Sequence, residues 1–184
     1  MIISTSKIME ALTYYSNLGY VPIDVPYCVD RSVSELTKPL CKRDTEYLND
    51  KVYVGSAEQS FIQMYMDGKL PDGKYMALTP CVRDDEHDDL HHSVFMKLEL
   101  FDCGDKTQPF QLGFAMQDFF EQYIKTTVVA GDDRPFSTDI LDKKLRIELG
   151  SYGMGILPGG KFYSYGTGIA EPRLSTVIRK VNEL

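Results

Sequence analysis

Two strand-like runs on either side of a short acidic segment limit most strictly what this chain can fold into. The runs are KYMALTPCV at residues 74–82 and HSVFMKLELF at residues 92–101. Between Val82 and Ser93 lie Arg83, five acidic residues and all three histidines of the chain. A connection this short joins strands that run in opposite directions, because a parallel pair needs a much longer crossover. The chain is therefore expected to contain an antiparallel hairpin.

The rest of the chain predicts further strands and helices packed on them. Apolar residues recur at helical spacing at Ile8, Leu12 and Tyr15, and again between Leu174 and Val181. The segments KKLRIEL and KFYSYGTG are strand-like. Helices mixed with hairpin-connected strands indicate an α+β fold, an antiparallel β-sheet flanked by helices. With 184 residues, the chain is most simply one domain, residues 1–184.

The overall composition excludes some classes of protein. A formal charge of -7 and a pI near 5.0 argue against a broad basic surface for nucleic acid. The N-terminus lacks a secretion-signal pattern, and no apolar run approaches the roughly 18 residues of a membrane span. We therefore expect a cytoplasmic protein. No C-x-x-C pair occurs, so reduced thiols are expected at Cys28, Cys41, Cys81 and Cys103.

The acidic segment is open to three interpretations from its residues alone. It can be a solvated turn with surface ion pairs, a nucleotide site built around Arg83, or a metal site. Histidine and carboxylate are common metal ligands, but two of the three histidines are adjacent and point to opposite faces of a strand. The candidate ligands of such a metal site are His87, His91, His92, Asp85 and Asp89.

Three separated segments share a pattern with one protein family. Residues 19–26, GYVPIDVP, place Ile23 three residues before a proline. Residues 82–95 place Arg83 and acidic residues before a loop, followed by His91 and, four residues later, Phe95. Residues 166–173 read Gly-x-Gly-x-x-x-x-Arg. In this order the segments resemble the three motifs of the class II aminoacyl-tRNA synthetases, in the form of seryl-type members. The resemblance implies the catalytic fold of that family.

The second segment, by this resemblance, implies part of an ATP site. In the family its arginine grips the α-phosphate, its loop Arg or His reaches the γ-phosphate, and its phenylalanine stacks on adenine. These roles fall on Arg83, His91 and Phe95. The residue types suit them, since a planar guanidinium pairs with phosphate oxygens and an aromatic face accepts a base. The acidic position of the motif falls on Asp85, or one place later on Glu86.

The third segment implies the rest of the ATP site. Gly166 and Gly168 would let the backbone approach the adenosine, where a Cβ would be in the way. Arg173, at the start of a predicted helix, would meet the γ-phosphate and stack near the adenine.

Three glutamates complete the site that the resemblance implies. Glu58 follows a Gly-Ser-Ala segment at the place where seryl-type enzymes keep a glutamate that receives the ammonium group of the amino acid. Glu148 falls where the family places an acidic Mg²⁺ ligand. Glu99 lies four residues after Phe95 and thus on the same face of the strand, so it is a candidate for the metal or for the substrate amino group.

The reaction implied is amino acid activation. A carboxylate attacks the α-phosphorus of ATP, an aminoacyl-adenylate forms, and pyrophosphate leaves with Mg²⁺. Arg83, Arg173 and His91 would be the catalytic residues, acting by alignment and by placed charge. The first motif forms a dimer interface in the family, so a homodimer with Pro26 at the interface is expected.

Departures from the family favour a minimal, stand-alone form. The chain has no room for an anticodon domain, and its short acidic hairpin loop would repel a phosphate backbone, so tRNA is not expected as the acceptor. A second hypothesis is a catalytically degenerate scaffold or regulatory subunit. Val82 and Asp85, which replace Phe and Glu of the motif, favour it, whereas the retained Arg83 and Arg173 oppose it. A third is a metal-dependent hydrolase that uses the His and Asp residues.

Overall fold

The computed structural model describes residues 2–38, 42–84, 87–104, 109–131 and 136–184. Its centre is a seven-stranded sheet in which all neighbours are antiparallel except the first pair, which is parallel. The predicted α+β class is therefore confirmed, with a mixed rather than purely antiparallel sheet. The strands in spatial order are β1 (Val21–Pro22), β4 (Lys74–Val82), β5 (Val94–Asp102), β9 (Phe162–Glu171), β8 (Glu148–Ile156), β7 (Thr138–Asp142) and β6 (Thr126–Ala130).

In the described ranges, five helices and a second small sheet surround these strands. The small sheet pairs β2 (Cys28–Asp30) with β3 (Lys51–Tyr53). The first helix begins after Ser4, whose side chain accepts from the Lys7 backbone N–H, and ends before Gly19, which has a φ of 87°. The helices are α1 (Thr5–Asn17), α2 (Arg31–Ser34), α3 (Ala57–Met66), α4 (Pro109–Glu121) and α5 (Arg173–Asn182).

The two faces of the large sheet carry two separate cores. The helix face packs against α1, α4 and α5, and its core includes Leu98 and Leu100. The opposite face, here called the pocket face, lies partly under α3. There Phe101 stacks between Phe61 and Tyr163, at ring-centre distances of 4.8 and 4.9 Å. Alternate residues of one strand thus serve different cores, as strand geometry requires.

Two β-bulges decide which residues reach the pocket face. On β9, Thr167 pairs with Glu99 and Ile169 with Leu98, so Gly168 is an extra residue. On β8, Gly150 and Glu148 pair with consecutive residues of β7, so one residue between them is extra. Because of the second bulge, residues three apart share a face. Glu148 and Ser151 both line the pocket described below.

One predicted strand is shorter than expected. In the segment KKLRIEL, residues 143–147 form a turn, and the strand begins only at Glu148. The buried carboxylate of Asp142 accepts three backbone N–H groups of this turn, from Lys144, Leu145 and Ile147, at 3.0, 2.7 and 2.7 Å. This local bonding replaces strand pairing.

Within the described ranges, no helix has the length and apolar character needed to cross a membrane.

Candidate active site

A cavity of about 980 Å³ opens on the pocket face of the sheet. Its walls come from the ends of β4, β5, β8 and β9 and from the first turns of α3 and α5. This volume is at the upper end of the range for small-molecule sites, roughly 300–1,000 Å³. Six residues that the family resemblance proposed for the substrate site line it: Glu58, Arg83, His91, Phe95, Glu148 and Arg173.

Arg83 and Phe95 form one wall of the cavity. The Arg83 Nε donates to the Gly55 carbonyl at 2.9 Å, and its backbone N–H donates to Ser93 at 2.9 Å. The guanidinium carbon lies 5.1 Å from the centre of the Phe95 ring, within the range of a cation–π contact. The structure therefore brings together the two residues expected to bind the α-phosphate and the adenine.

Glu58 lies in the first turn of α3, in a second wall. The Ser56 side chain caps this helix by accepting from the Glu58 backbone N–H at 3.3 Å. The Glu58 side chain is buried, only 3% exposed, and its Oε1 accepts a hydrogen bond from the Tyr163 hydroxyl at 2.8 Å. A carboxylate is stabilised at a helix N-terminus. The arrangement presents a recessed anion to the cavity.

Glu99 lies beneath the cavity floor and is held by Lys97, a residue that the sequence analysis missed. The Lys97 Nζ is 2.7 Å from Glu99 Oε2, and Ser56 donates its hydroxyl to the same oxygen. The other oxygen, Oε1, is buried without a hydrogen-bond partner among the described residues. Lys97 lines the cavity between Phe95 and Glu99. The period-two alternation that predicted Glu99 would have found Lys97 as well.

Glu148 and Arg173 face each other at the far side of the cavity, with 3.5 Å between Oε1 and NH1. Glu148, the expected metal ligand, is thus paired with the expected phosphate-binding arginine. Glu99, the second metal candidate, lies two strands away and is paired with Lys97. In the part of the chain that the structure describes, no group of three or more His, Cys, Asp and Glu is arranged to hold a metal ion.

Among the described residues, the three histidines of the hairpin loop do not form part of a group of three or more potential metal ligands. The His91 Nδ1 lies 2.9 Å from Asp88 Oδ2, and this bond, followed by two backbone N–H bonds, holds the pKa of Asp88 well below its usual range. The rings of His87 and His92 contact each other edge to face at 5.1 Å. The metal-hydrolase hypothesis therefore has no support from the described residues. Asp85 and Glu86 lie outside them.

Gly166 and Gly168 are absent from the cavity lining. A Cβ on Gly166 would lie 2.0 Å from Cδ1 of the buried Tyr152, and a Cβ on Gly168 would lie 3.0 Å from the Tyr15 ring and 3.1 Å from the Leu98 carbonyl oxygen. Close packing against Tyr152 therefore requires a glycine at position 166, and close packing at the bulge requires one at position 168. Neither requirement involves a ligand. Their expected contact with adenosine stays a prediction.

Comparison with solved structures identifies proteins of similar fold. No family model and no curated protein sequence matches this chain. Among solved structures, it is similar to pyrrolysyl-tRNA synthetase from Desulfitobacterium hafniense, with a TM-score of 0.72 and 16% identity, over 95% of this chain and 68% of that one. It is also similar to cytoplasmic serine-tRNA ligase from Naegleria fowleri in complex with AMP, with a TM-score of 0.72 and 16% identity, over 92% and 52% of the two chains.

A further similar structure is seryl-tRNA synthetase from Pyrococcus horikoshii complexed with ATP, with a TM-score of 0.70 and 16% identity. The match covers 93% of this chain and 48% of that one. The chain therefore spans about half the length of the two seryl enzymes. At such low identity the likeness establishes the fold and not the activity. The chain has the fold of the class II aminoacyl-tRNA synthetase catalytic domain.

Proposed function

We propose that this chain binds ATP in the cavity and activates an amino acid as its aminoacyl-adenylate. The observation that carries the proposal is the meeting of Arg83 and Phe95, from one hairpin, with Arg173, from a distant segment, around one cavity. These are the residue types that bind phosphates and a purine. The fold supports the same conclusion, because two proteins of similar structure were solved with AMP or ATP.

The cavity lining carries both signs of charge. It includes six lysines and arginines and five aspartates and glutamates, in a chain whose formal charge is -7. The cationic side chains are the groups that would meet the phosphates of ATP. The lysines and arginines of the lining are Lys38, Lys42, Arg43, Arg83, Lys97 and Arg173.

The proposed reaction needs alignment more than proton transfer. A carboxylate oxygen of the amino acid bonds to the α-phosphorus, and the bond from that phosphorus to the bridging oxygen breaks as pyrophosphate leaves. Arg83 stabilises charge on the α-phosphate, whereas Arg173 and His91 hold the leaving group. Preorganised cations of this kind lower the barrier because they do not have to reorient during the reaction.

Glu148 is the proposed ligand of Mg²⁺. The Glu148 carboxylate is partly exposed and faces the cavity beside Arg173, so it is the residue that would hold Mg²⁺. A bound Mg²⁺ would neutralise charge on the phosphates. Glu99 fits this role less well, because Lys97 and Ser56 already occupy one of its oxygens. Its unpartnered oxygen suits a hydrogen-bond donor of the substrate instead.

The amino acid is proposed to bind with its ammonium group at Glu58. Its acceptor after activation is proposed not to be tRNA. The exposed hairpin loop carries Asp84, Asp88 and Asp89, and such a loop would repel a phosphate backbone. The acceptor is then a protein, a carrier or a small molecule.

Two measurements test the proposed function. ATP should raise the melting temperature of the protein, since a ligand that binds only the folded state stabilises it. Pyrophosphate exchange should then be seen with one or a few of the standard amino acids. Absence of any ATP-dependent stabilisation would contradict the proposal. Stabilisation without exchange for any amino acid would favour an ATP-binding scaffold that lacks the chemistry.

A homodimer through β1 is proposed as well. This short strand lies at one edge of the large sheet, and apolar side chains near it are exposed: Leu18, Val21 and Leu78 are 42%, 52% and 38% accessible. Exposed apolar clusters often mark interfaces. Sedimentation of the wild type and of Val21→Asp at micromolar concentration should give a dimer and a monomer. A monomeric wild type would contradict this part of the proposal.

A further inference from the structure

We propose that Gln59 is a positioning residue for Arg83, because it holds the backbone segment whose carbonyl group orients the guanidinium. The inference rests on the proposed function and deepens it, since Gln59 would act on the α-phosphate only through Arg83. Gln59 lies in the first turn of α3 and lines the cavity. No motif in the sequence pointed to it.

The orientation of Arg83 depends on one backbone carbonyl. Its Nε donates to the Gly55 carbonyl at 2.9 Å, and its guanidinium carbon lies 5.1 Å from the centre of the Phe95 ring. A guanidinium is planar, so a bond at Nε together with a ring against the group fixes the directions of the terminal N–H donors. Those donors are the ones proposed to meet the α-phosphate. A shift of the Gly55 carbonyl would therefore turn them away from it.

Gln59 holds the peptide groups on both sides of this carbonyl. Its side-chain Oε1 accepts from the Gly55 N–H at 2.8 Å, and its backbone N–H donates to the Ser56 carbonyl at 3.2 Å. In the chain, the Gly55 carbonyl lies between these two groups. Glycine has more backbone freedom than any other residue, so a segment that contains Gly55 needs such anchoring to keep one conformation. Gln59 supplies it at two points.

The Gln59 amide is itself held in one orientation. Its Nε2 donates to the Ser34 Oγ at 2.9 Å, and the Ser34 hydroxyl donates to Asp44 Oδ1 at 2.6 Å. Lys38 pairs with the other oxygen of Asp44. Because Oε1 accepts at one end and Nε2 donates at the other, a flipped amide would lose both bonds. Gln59 and Ser34 are only 5% and 1% exposed, and a satisfied buried network of this kind is rigid.

The expected effect of this support is on the reaction more than on ATP binding. An oriented cation stabilises the charge that develops at the α-phosphate without having to reorient during the reaction. A loosely held Arg83 still attracts the phosphates of ATP but loses that advantage. Loss of Gln59 should therefore lower the kcat of pyrophosphate exchange while the KM for ATP changes little.

The test begins with Gln59→Met, which keeps the length of the side chain and removes both of its hydrogen bonds. Exchange is measured with the amino acid that gives the highest rate in the wild type. The kcat should fall roughly ten- to a hundredfold, since a displacement of about 1 Å can cost about 10²-fold. Ser34→Ala, a milder variant that keeps Gln59 and removes one acceptor of its amide, should lower kcat by a smaller factor.

Gln63→Met is the matched control. Gln63 lies one turn further along α3 and is 8% exposed, and its amide accepts from the Asp30 N–H at 3.1 Å and donates to Asp67 at 3.0 Å. It does not line the cavity around Arg83. The two variants should lower the melting temperature alike, but Gln63→Met should keep the wild-type kcat. An equal fall of kcat in both would overturn the inference, because any buried amide of α3 would then have the same effect.

A second background tests whether Gln59 acts through Arg83. The lysine of Arg83→Lys has no Nε–H for the Gly55 carbonyl to hold, so adding Gln59→Met to it should change kcat by less than about twofold. The same fall in both backgrounds overturns the inference, as does a wild-type kcat in Gln59→Met; either result leaves the proposed function standing. Absence of exchange with every amino acid in the wild type overturns the proposed function and this inference with it.

Discussion

The β4–β5 hairpin and the β8–β9 hairpin build the same cavity in different ways. On β5 the pocket face reads Phe95, Lys97 and Glu99, so this hairpin supplies charged and aromatic groups directly. On β8 the same face contains Gly155, whose missing side chain leaves room for Tyr163 of β9. The β4–β5 hairpin contributes its own side chains to the cavity. The β8–β9 hairpin depends partly on the space that glycine leaves at position 155, so substitutions should affect the two hairpins in different ways.

The largest effect is expected at Arg83. Arg83→Ala removes the cation proposed to contact the α-phosphate and should lower the rate of pyrophosphate exchange by about 10²–10³-fold, as for the loss of one transition-state donor. Arg83→Lys should recover only part of this rate, because an ammonium group lacks the planar arrangement of donors of a guanidinium. Steady-state exchange assays measure the rates of both variants. Lys69→Ala, which alters an exposed lysine paired with Asp67, is the control. A full rate in Arg83→Ala would contradict the assignment.

The second effect is on stability and concerns Lys97. Lys97→Met leaves the buried Glu99 carboxylate without its cationic partner and should lower the free energy of unfolding by about 3–5 kcal/mol. Urea unfolding followed by circular dichroism measures it. The double variant Lys97→Met with Glu99→Gln should regain part of the loss, since no unpaired buried charge remains. A double variant that is less stable than Lys97→Met would show that the loss of stability does not come from an unpaired Glu99 charge.

The third effect tests the glycine-dependent hairpin. A Cβ on Gly166 would meet Tyr152 at 2.0 Å, so Gly166→Ala should cost about 1–3 kcal/mol of stability through overpacking. Gly104→Ala is the matched control, because the nearest atom would lie at an ordinary 3.6 Å. Its effect should stay within about 0.5 kcal/mol. Equal urea midpoints for the two variants would show that the close packing of the glycine is unimportant.

The smallest effect depends on pH and concerns Glu171, at the end of β9. Burial raises the pKa of Glu171, and the bond from Ser175 offsets this only in part. The folded state therefore binds this proton more tightly than the unfolded state. The contribution of the protonated group is present below its ordinary pKa, about 4.3, and is lost as pH rises through the folded-state value.

Glu171→Gln should accordingly stabilise the protein at pH 7 and leave it nearly unchanged at about pH 3, below the ordinary pKa of a glutamate. Urea unfolding at the two pH values gives the difference. Glu183→Gln, at the exposed end of α5, should show no such gain. Destabilisation by Glu171→Gln at pH 7 would show that the charged form is the favoured one.

Elements determined by local interactions could be predicted from the sequence, whereas those determined by other contacts could not. The strands at residues 74–82 and 94–102 and the helices α1 and α5 were predicted correctly, because their periodicities are local. The turn at residues 143–147 was not, since one buried carboxylate, Asp142, replaces the strand pairing. Glu148 and Ser151 share a face only through a bulge, which no simple period predicts.

For the candidate site, sequence patterns named six residues that the structure places around one cavity. They missed Lys97, although it alternates with Phe95 and Glu99, and they missed Tyr163 altogether. The partners of Tyr163 are Gly155, Phe101 and Glu58, on three other elements. A contact between residues so far apart in the chain leaves no local pattern to detect.

The sequence by itself determined the α+β class, the hairpin and the residue types proposed to bind phosphate and purine, because alternation and motif spacing are properties of short segments. Only the tertiary structure decided the parallel pairing of β1, the two bulges, the Lys97–Glu99 pair and the place of Tyr163. The physical reason is that strand register and ring packing are set by neighbours across the sheet. Those neighbours meet only when the chain has folded.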